Sequence, residues 1–495
     1  MPIARLIAVF CCLAALCARA GAEERNLWPA HVAQVDVAGH VTSSESVGPL
    51  VFQKPGPDGG TVSGVRPFFV QTKDAAGRTT VASVLYPVYI YRADSDTYKW
   101  TVLNLITGAG PQQANATSST DQTKAFDLWI FWFSRQTGSP ETSYRALFPI
   151  AGNIKHRFGK DELSWVIWPL YFRSEKNGSV TTSTPWPFIQ STRGTETGFA
   201  LWPLFGWRDR PERFHKSYYL WPLAWNNTIQ PPEDAPAGTP PTRQHGFIPF
   251  YTHERRDGFV DENYVWPFFG YTDRTLPYRY HEQRYLWPFF VQGEGDNRLV
   301  NRWGPFYTHS VIKGMDKTWY LWPLVRRAKW DDSGVAQTRT QFLYLLYWSL
   351  EQRSLTNPAA APADRTHVWP FFSKWDNGAG RRQFQLFSPL DVFFPDNNNV
   401  RETWTPLFAL YRSDQRAPDD KRWSLLWRAV TWRQEYGEKE FHLGPLFSTS
   451  SRAGSNRVAF GNGLFGWKRN PGEPGSHWFW FDFPPKVNKL PPPSL

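Results

Sequence analysis

At 495 residues, with 41% hydrophobic and 17% aromatic content, the chain is long enough for one large core or several ordinary domains, and length alone separates neither case. Its 55 Lys and Arg against 44 Asp and Glu give a formal net charge of +11, dispersed at sites such as Arg208, Arg210, Arg255, Arg256, Arg326 and Arg327 instead of gathered in a basic tract. With the export signal described next, that dispersion argues against nucleic acid and for a solvated surface that can attract lipid head groups or acidic polysaccharide.

Residues 1–22 carry the pattern of a secretory signal peptide: Arg5, an apolar stretch from Leu6 to Leu16, and small residues at Ala20-Gly21-Ala22. Leu16 before Cys17 argues against lipid attachment there. Cleavage near Glu23 would remove all three cysteines, Cys11, Cys12 and Cys17, leaving neither a disulfide framework nor a cysteine-ligated metal. Such a composition suits the periplasm or outer membrane of a Gram-negative bacterium. After the signal no apolar run has the 18 or so residues of a membrane helix, so any insertion would need strands.

From residue 23 onwards an aromatic-proline run recurs. It is carried by Trp168-Pro169, Trp202-Pro203, Trp221-Pro222, Trp266-Pro267, Trp287-Pro288, Trp322-Pro323 and Trp369-Pro370, with earlier copies such as Pro29, Pro67 and Pro87 and later ones marked by Pro389, Pro406 and Pro445. Counting the proline-free copies gives about 24 units of about 19 residues, a periodicity that signals a repeat architecture. A longer echo, Pro249-Phe250-Tyr251-Thr252-His253 against Pro305-Phe306-Tyr307-Thr308-His309, makes three units one superrepeat.

Turn-forming Gly, Asp, Asn and Pro lie between most units, and the segments between them are rich in Trp, Tyr, Phe, Val, Ile and Thr. Each unit therefore reads as one strand and one reversal. The expected fold is all-β, an antiparallel meander of about 24 long strands of about 10 to 14 residues, closed into a large β-barrel. A spiralling β-shell and a β-propeller are the alternatives, the propeller being disfavoured by a superrepeat of three. In this reading the proline sits mid-strand at a repeated kink, and the preceding Trp residues line up as an indole belt. Three long loops are expected, at Thr107 to Thr123, Thr228 to Gln244 and Arg353 to Thr366. One repeat domain would run from 23 to 483, with a Pro-rich tail at 484–495. The last unit, His477 to Phe483, resembles the closing strand of outer-membrane barrels in its alternate aromatics, although that tail follows it.

Catalytic signals are missing: there is no nucleophile elbow, phosphate-binding glycine loop or paired metalloprotease histidine. No catalytic residue, metal or cofactor is expected. His253 and His309, at equivalent repeat positions, could stack as a ladder, but solvent-facing histidines are the plainer reading. Clusters such as Asp396-Asn397-Asn398-Asn399 read as turns. Ligand contacts, if any, should fall on tryptophans off the repeat, Trp225, Trp330, Trp375 and Trp432. The expected function is a non-enzymatic exported cell-envelope protein acting as scaffold, channel or binding surface. The alternative is a secreted protein that binds or processes carbohydrate through exposed aromatic rings, so the expected partners are outer-membrane lipid or polysaccharide.

Overall fold

The structure, a computed structural model, describes residues 23–36, 40–112, 123–452 and 454–483. The expected signal peptide and Pro-rich tail lie outside the described residues. The all-β expectation holds: among the described residues there are 45 strands, numbered β1 to β45 in chain order, and every described pairing is antiparallel. Among the described residues, helix is confined to a turn at Pro57–Gly59 and two short helices, α1 (Asn398–Thr403) and α2 (Thr405–Phe408). No described ladder joins the last strand back to the first.

The expected count and length of strands need correction. Strands run from four residues, as in β45 (His477–Trp480), to eight, as in β32 (Val325–Asp332), so each unit of about 19 residues holds two strands. The aromatic-proline run is the second reversal. Leu286 to Phe289 turns β27 (Tyr280–Tyr285) into β28 (Phe290–Gly295), Tyr285 pairs with Phe290, and the Phe289 amide donates to the Leu286 carbonyl at 2.9 Å. The Trp-Pro peptide is cis here and in the six other Trp-Pro pairs named above. A proline in a reversal removes no ladder bond, so the repeated mid-strand kink is replaced by a turn. Trp, Tyr and Phe are strand formers, and their density disguised a turn as a strand centre.

Two compact units emerge. Unit one comprises the described residues within 23–92 and 345–483; unit two comprises those within 93–344. Since strands alternate in direction, the turns of each unit divide between two rims. In unit two one rim carries Asn177-Gly178, Asp257-Gly258, Lys313-Gly314 and Ser333-Gly334, small polar reversals whose glycines have positive φ. The other rim carries the aromatic turns. The 56-residue echo is three hairpins: it relates the turn before β24 (Tyr251–Arg256) to the turn before β30 (Tyr307–Ile312).

The strands themselves are polar on both faces. In β27, Glu282 and Arg284 point one way while His281 and Gln283 point the other. Arg284, only 10% exposed, bonds Asp261 at 2.6 Å, Thr272 at 2.6 Å and Glu282 at 3.0 Å, stitching β25 (Phe259–Tyr264), β26 (Phe269–Arg274) and β27 together. Apolar clusters are small. Among the described residues, Phe133, Ala146, Ile154, Leu163 and Trp165 make one in unit two, and Phe52, Val62 and Val70 make one in unit one.

Aromatic rings also pack flat against strand glycines. Trp100 lies opposite Gly108, Trp165 opposite Gly152, Tyr218 opposite Gly206 and Trp225 opposite Gly246. A Cβ on Gly246 would stand 2.5 Å from the Trp225 ring. Gly246→Ala is therefore expected to destabilise by about 1–3 kcal/mol through overpacking. In a Trp225→Ala background the same change should cost far less, so a double-mutant cycle by chemical denaturation checks the contact.

The expected loops at Thr228 to Gln244 and Arg353 to Thr366 survive in shortened form, between β22 (Ala224–Ile229) and β23 (Thr242–Phe247) and between β34 (Tyr347–Ser354) and β35 (Ala363–Val368). At the third, Thr107 to Pro111 belongs to strand β10 (Ile106–Pro111), and residues 113–122 lie outside the described residues. Residues 387–410, taken as two repeat units at Pro389 and Pro406, leave the sheet and contain α1 and α2. Asn397 is not a plain turn residue: its side chain accepts from the Val400 amide at 3.2 Å and caps α1.

Candidate binding surfaces

Two features concentrate chemistry: the aromatic rim and a charged cavity in unit one. On the rim of unit two, successive turns are bonded to each other. The Trp287 amide donates to the Phe268 carbonyl at 2.9 Å, Leu321 to Phe306 at 2.7 Å, and Trp221 to Pro203 at 2.7 Å. The first residue of several turns has positive φ despite its bulk, as at Ile167 (45°), Leu220 (48°), Val265 (47°) and Leu321 (48°). Such backbone costs on the order of 1–3 kcal/mol per residue and persists only where its surroundings fix it, here the adjoining turns.

Those turns aim side chains outward. Phe306 is 69% exposed, Phe250 62%, Trp322 58% and Trp221 53%, with Leu286 and Phe289 about half exposed beside them. Neighbouring rings touch along the row: Trp168 meets Phe148 at 5.3 Å and Trp186 at 5.4 Å, and Trp202 meets Trp221 at 6.0 Å. Unit one has its own exposed turn residues, Phe68, Phe371 and Leu446 among them. The seven Trp-Pro pairs singled out in the sequence thus all lie in rim turns; Trp369 is anchored by its indole N–H on the Pro389 carbonyl at 3.1 Å. The expected indole belt exists, but at a rim and not at mid-strand.

The four off-pattern tryptophans are not brought together. Trp225 covers Gly246, and Trp330 carries the Arg339 guanidinium at 5.0 Å. Trp432 stacks on Trp423 at 6.3 Å in a row of rings, and cross-strand register puts that row on the face opposite the cavity. Only Trp375 lines the cavity, its indole N–H on Gln383 at 3.1 Å. His253 and His309 lie six strands apart. His253 packs against His245 at 4.8 Å and bonds Glu262 at 3.1 Å, while His309 bonds Asp316 at 3.0 Å. Among the described residues no cluster of His, Cys, Asp and Glu has the makings of a metal site.

The cavity, of about 1300 Å³, lies in unit one between β3 (Val41–Ser46) and β4 (Val51–Pro55) on one side and β36 (Phe372–Asp376) to β40 (Val430–Glu435) on the other. Ion pairs hold its walls together. Lys54 pairs with Glu402 of α1 at 2.7 Å, Arg66 donates to the Glu402 carbonyl at 2.7 Å while its guanidinium lies 3.5 Å above the Phe52 ring, and Arg428 pairs with Glu45 at 3.1 Å. No local sequence pattern connects these partners, which lie over 300 residues apart.

Beneath it, Glu24 of β1 (Glu23–Leu27) is 2% exposed and meets Arg422 at 2.6 Å and Thr431 at 2.6 Å. Burial alone would raise its carboxyl, but Arg422, Arg428 and His442 outweigh that and hold it at about 2, down from 4.5. Burial likewise brings Arg66 and Arg422 down to about 10.

Because the folded value lies below the unfolded one, the Glu24 carboxylate stabilises fully above pH 4.5, and its contribution vanishes as pH falls towards 2. The contribution is on the order of 3 kcal/mol. Glu24→Gln is expected to destabilise by about 3–5 kcal/mol at neutral pH, since Arg422 is left buried and unpaired. Its deficit relative to the parent should shrink between pH 5 and pH 2.5, as measured by urea denaturation.

No protein-family model matches the chain, and comparison with curated proteins finds no match.

Proposed function

We propose that this is a non-enzymatic, exported cell-envelope protein, in the periplasm or at the outer membrane, that rests its aromatic rim on the apolar layer of a lipid surface. The observation that carries this reading is the row of exposed Leu, Trp and Phe turns, where soluble proteins rarely leave contiguous apolar patches beyond a few hundred Å². Trp at the boundary of an apolar edge suits the head-group region of a bilayer. Behind the rim the strands turn polar at once, with Arg284, Arg302 and Arg326 one residue from the rim ends of their strands. An edge laid on a lipid surface accounts for that gradient.

A spanning barrel fits less well. Strands of about six residues rise about 20 Å, short of the 9–11 residues a membrane strand needs, and a lipid-facing sheet wants one wholly apolar face. A meander bent round into a barrel whose rim, and not its wall, meets lipid remains part of the proposal, because a closed series would present the turns as one band. Carbohydrate binding is the weaker alternative: the rim rings are flanked by Leu, Val and Phe and not by the hydrogen-bonding groups that a sugar requires.

Vesicle flotation with the purified chain tests the reading. The parent should float with phospholipid vesicles. A variant carrying Trp221→Ser, Phe250→Ser, Phe306→Ser and Trp322→Ser should bind at least about tenfold more weakly, or about 1.4 kcal/mol, with its melting temperature little changed. Equal flotation of the two proteins would refute the rim as the contact.

A further inference from the structure

The proposed lipid contact assigns no role to the unit-one cavity, yet its lining is not that of a passive void. Twelve basic and nine acidic side chains face it. Most of the acidic groups that could attract a cation are already engaged. Glu45 is met by Arg66 and Arg428, Glu402 by Lys54, Asp414 by Arg412 at 2.8 Å and Asp376 by Arg382 at 2.5 Å. Asp391 accepts from Ser373 at 3.1 Å, Ser388 at 2.6 Å and Thr405 at 3.0 Å.

The surplus is cationic and rich in donors. Among the described residues, Arg381, Arg401 and Arg416, all of which line the cavity, make no ion pair, although Arg401 donates to the Pro395 carbonyl. Arg428 keeps its Nη1 buried without a hydrogen-bond partner. His367, on the same wall and 3% exposed, has neither ring nitrogen bonded, although the Trp348 ring packs on it at 5.3 Å. An unmet buried donor is destabilising, and a ligand oxygen would relieve it. Guanidinium groups suit planar or tetrahedral oxyanions, which they hold by paired N–H bonds. The volume exceeds the usual range for small-ligand pockets, so one phosphate ion would leave most of it empty.

We propose that the cavity of unit one binds a small polyanion of oligosaccharide size carrying two or more phosphate or carboxylate groups, with Arg401, Arg416 and Arg428 as anion contacts and His367 as a hydrogen-bonding partner. Arg381, held 5.6 Å over the Trp375 ring, places a further cation beside an aromatic surface on which a sugar or other flat moiety can stack.

Isothermal titration of the full chain at low ionic strength tests this, with inorganic tripolyphosphate, a trigalacturonate and neutral maltotriose as probes. At least one anion should bind with one-to-one stoichiometry, and maltotriose should not. Saturation by tripolyphosphate alone would assign the site to phosphate groups; saturation by trigalacturonate alone would assign it to carboxylates. The double variant Arg401→Gln, Arg416→Gln should weaken the anion at least tenfold with an unchanged melting temperature. Arg353→Gln, exposed on β34 and outside the cavity, should leave it unaffected. Failure of both anions to bind, binding that survives the double variant, equal binding of maltotriose, or equal loss on Arg353→Gln would each overturn the proposal.

Discussion

The backbone ladder is the interaction on which this fold depends. Strands polar on both faces bury few apolar side chains, so the amide and carbonyl groups of each strand must find their partners on the next strand in the chain. A meander does this locally: each strand pairs with the strand just made, and the ordering entropy is met one hairpin at a time. Cross-strand side chains add to the ladders, with Arg284 bridging three strands and Trp225 lying across Gly246.

That constraint separates the apolar residues from the strands. With little core to fill, the Leu, Trp and Phe of each repeat collect in the reversal, where ring packs on ring along the rim and turn bonds to turn. One rim of each unit is then apolar while the strand faces stay polar, the reverse of a sandwich, where apolar residues face inward along the strands. Unit one departs from pure repetition. The segment at 387–410 leaves the sheet, α1 brings Glu402 to Lys54 and Arg66, and β1 sets Glu24 against Arg422, so that early and late strands enclose a charged chamber.

Much of the architecture is legible in the sequence. The period, the superrepeat of three units, the antiparallel meander and the alignment of the Trp residues all follow from the spacing of Trp-Pro and of the polar turns. The doubled strand count was hidden because Tyr285 to Phe290 has the composition of a strand and the geometry of a turn; only the proline, with no amide to donate, argued otherwise. The cavity was out of reach for a different reason. Its ion pairs join residues such as Glu24 and Arg422, or Arg66 and Glu402, that no local pattern connects. Of the tryptophans off the repeat, Trp375 lines the chamber, while Trp225 covers Gly246, Trp330 carries Arg339 and Trp432 stacks on Trp423.

Depth-dependent quenching of tryptophan fluorescence by brominated phospholipids tests the central claim most directly, read on variants that retain one tryptophan each. The account predicts strong quenching of Trp221 and Trp322, greatest with bromine near the head groups, and none of Trp375 in the cavity wall. Equal quenching at all three positions, or none at Trp221 and Trp322, would contradict it.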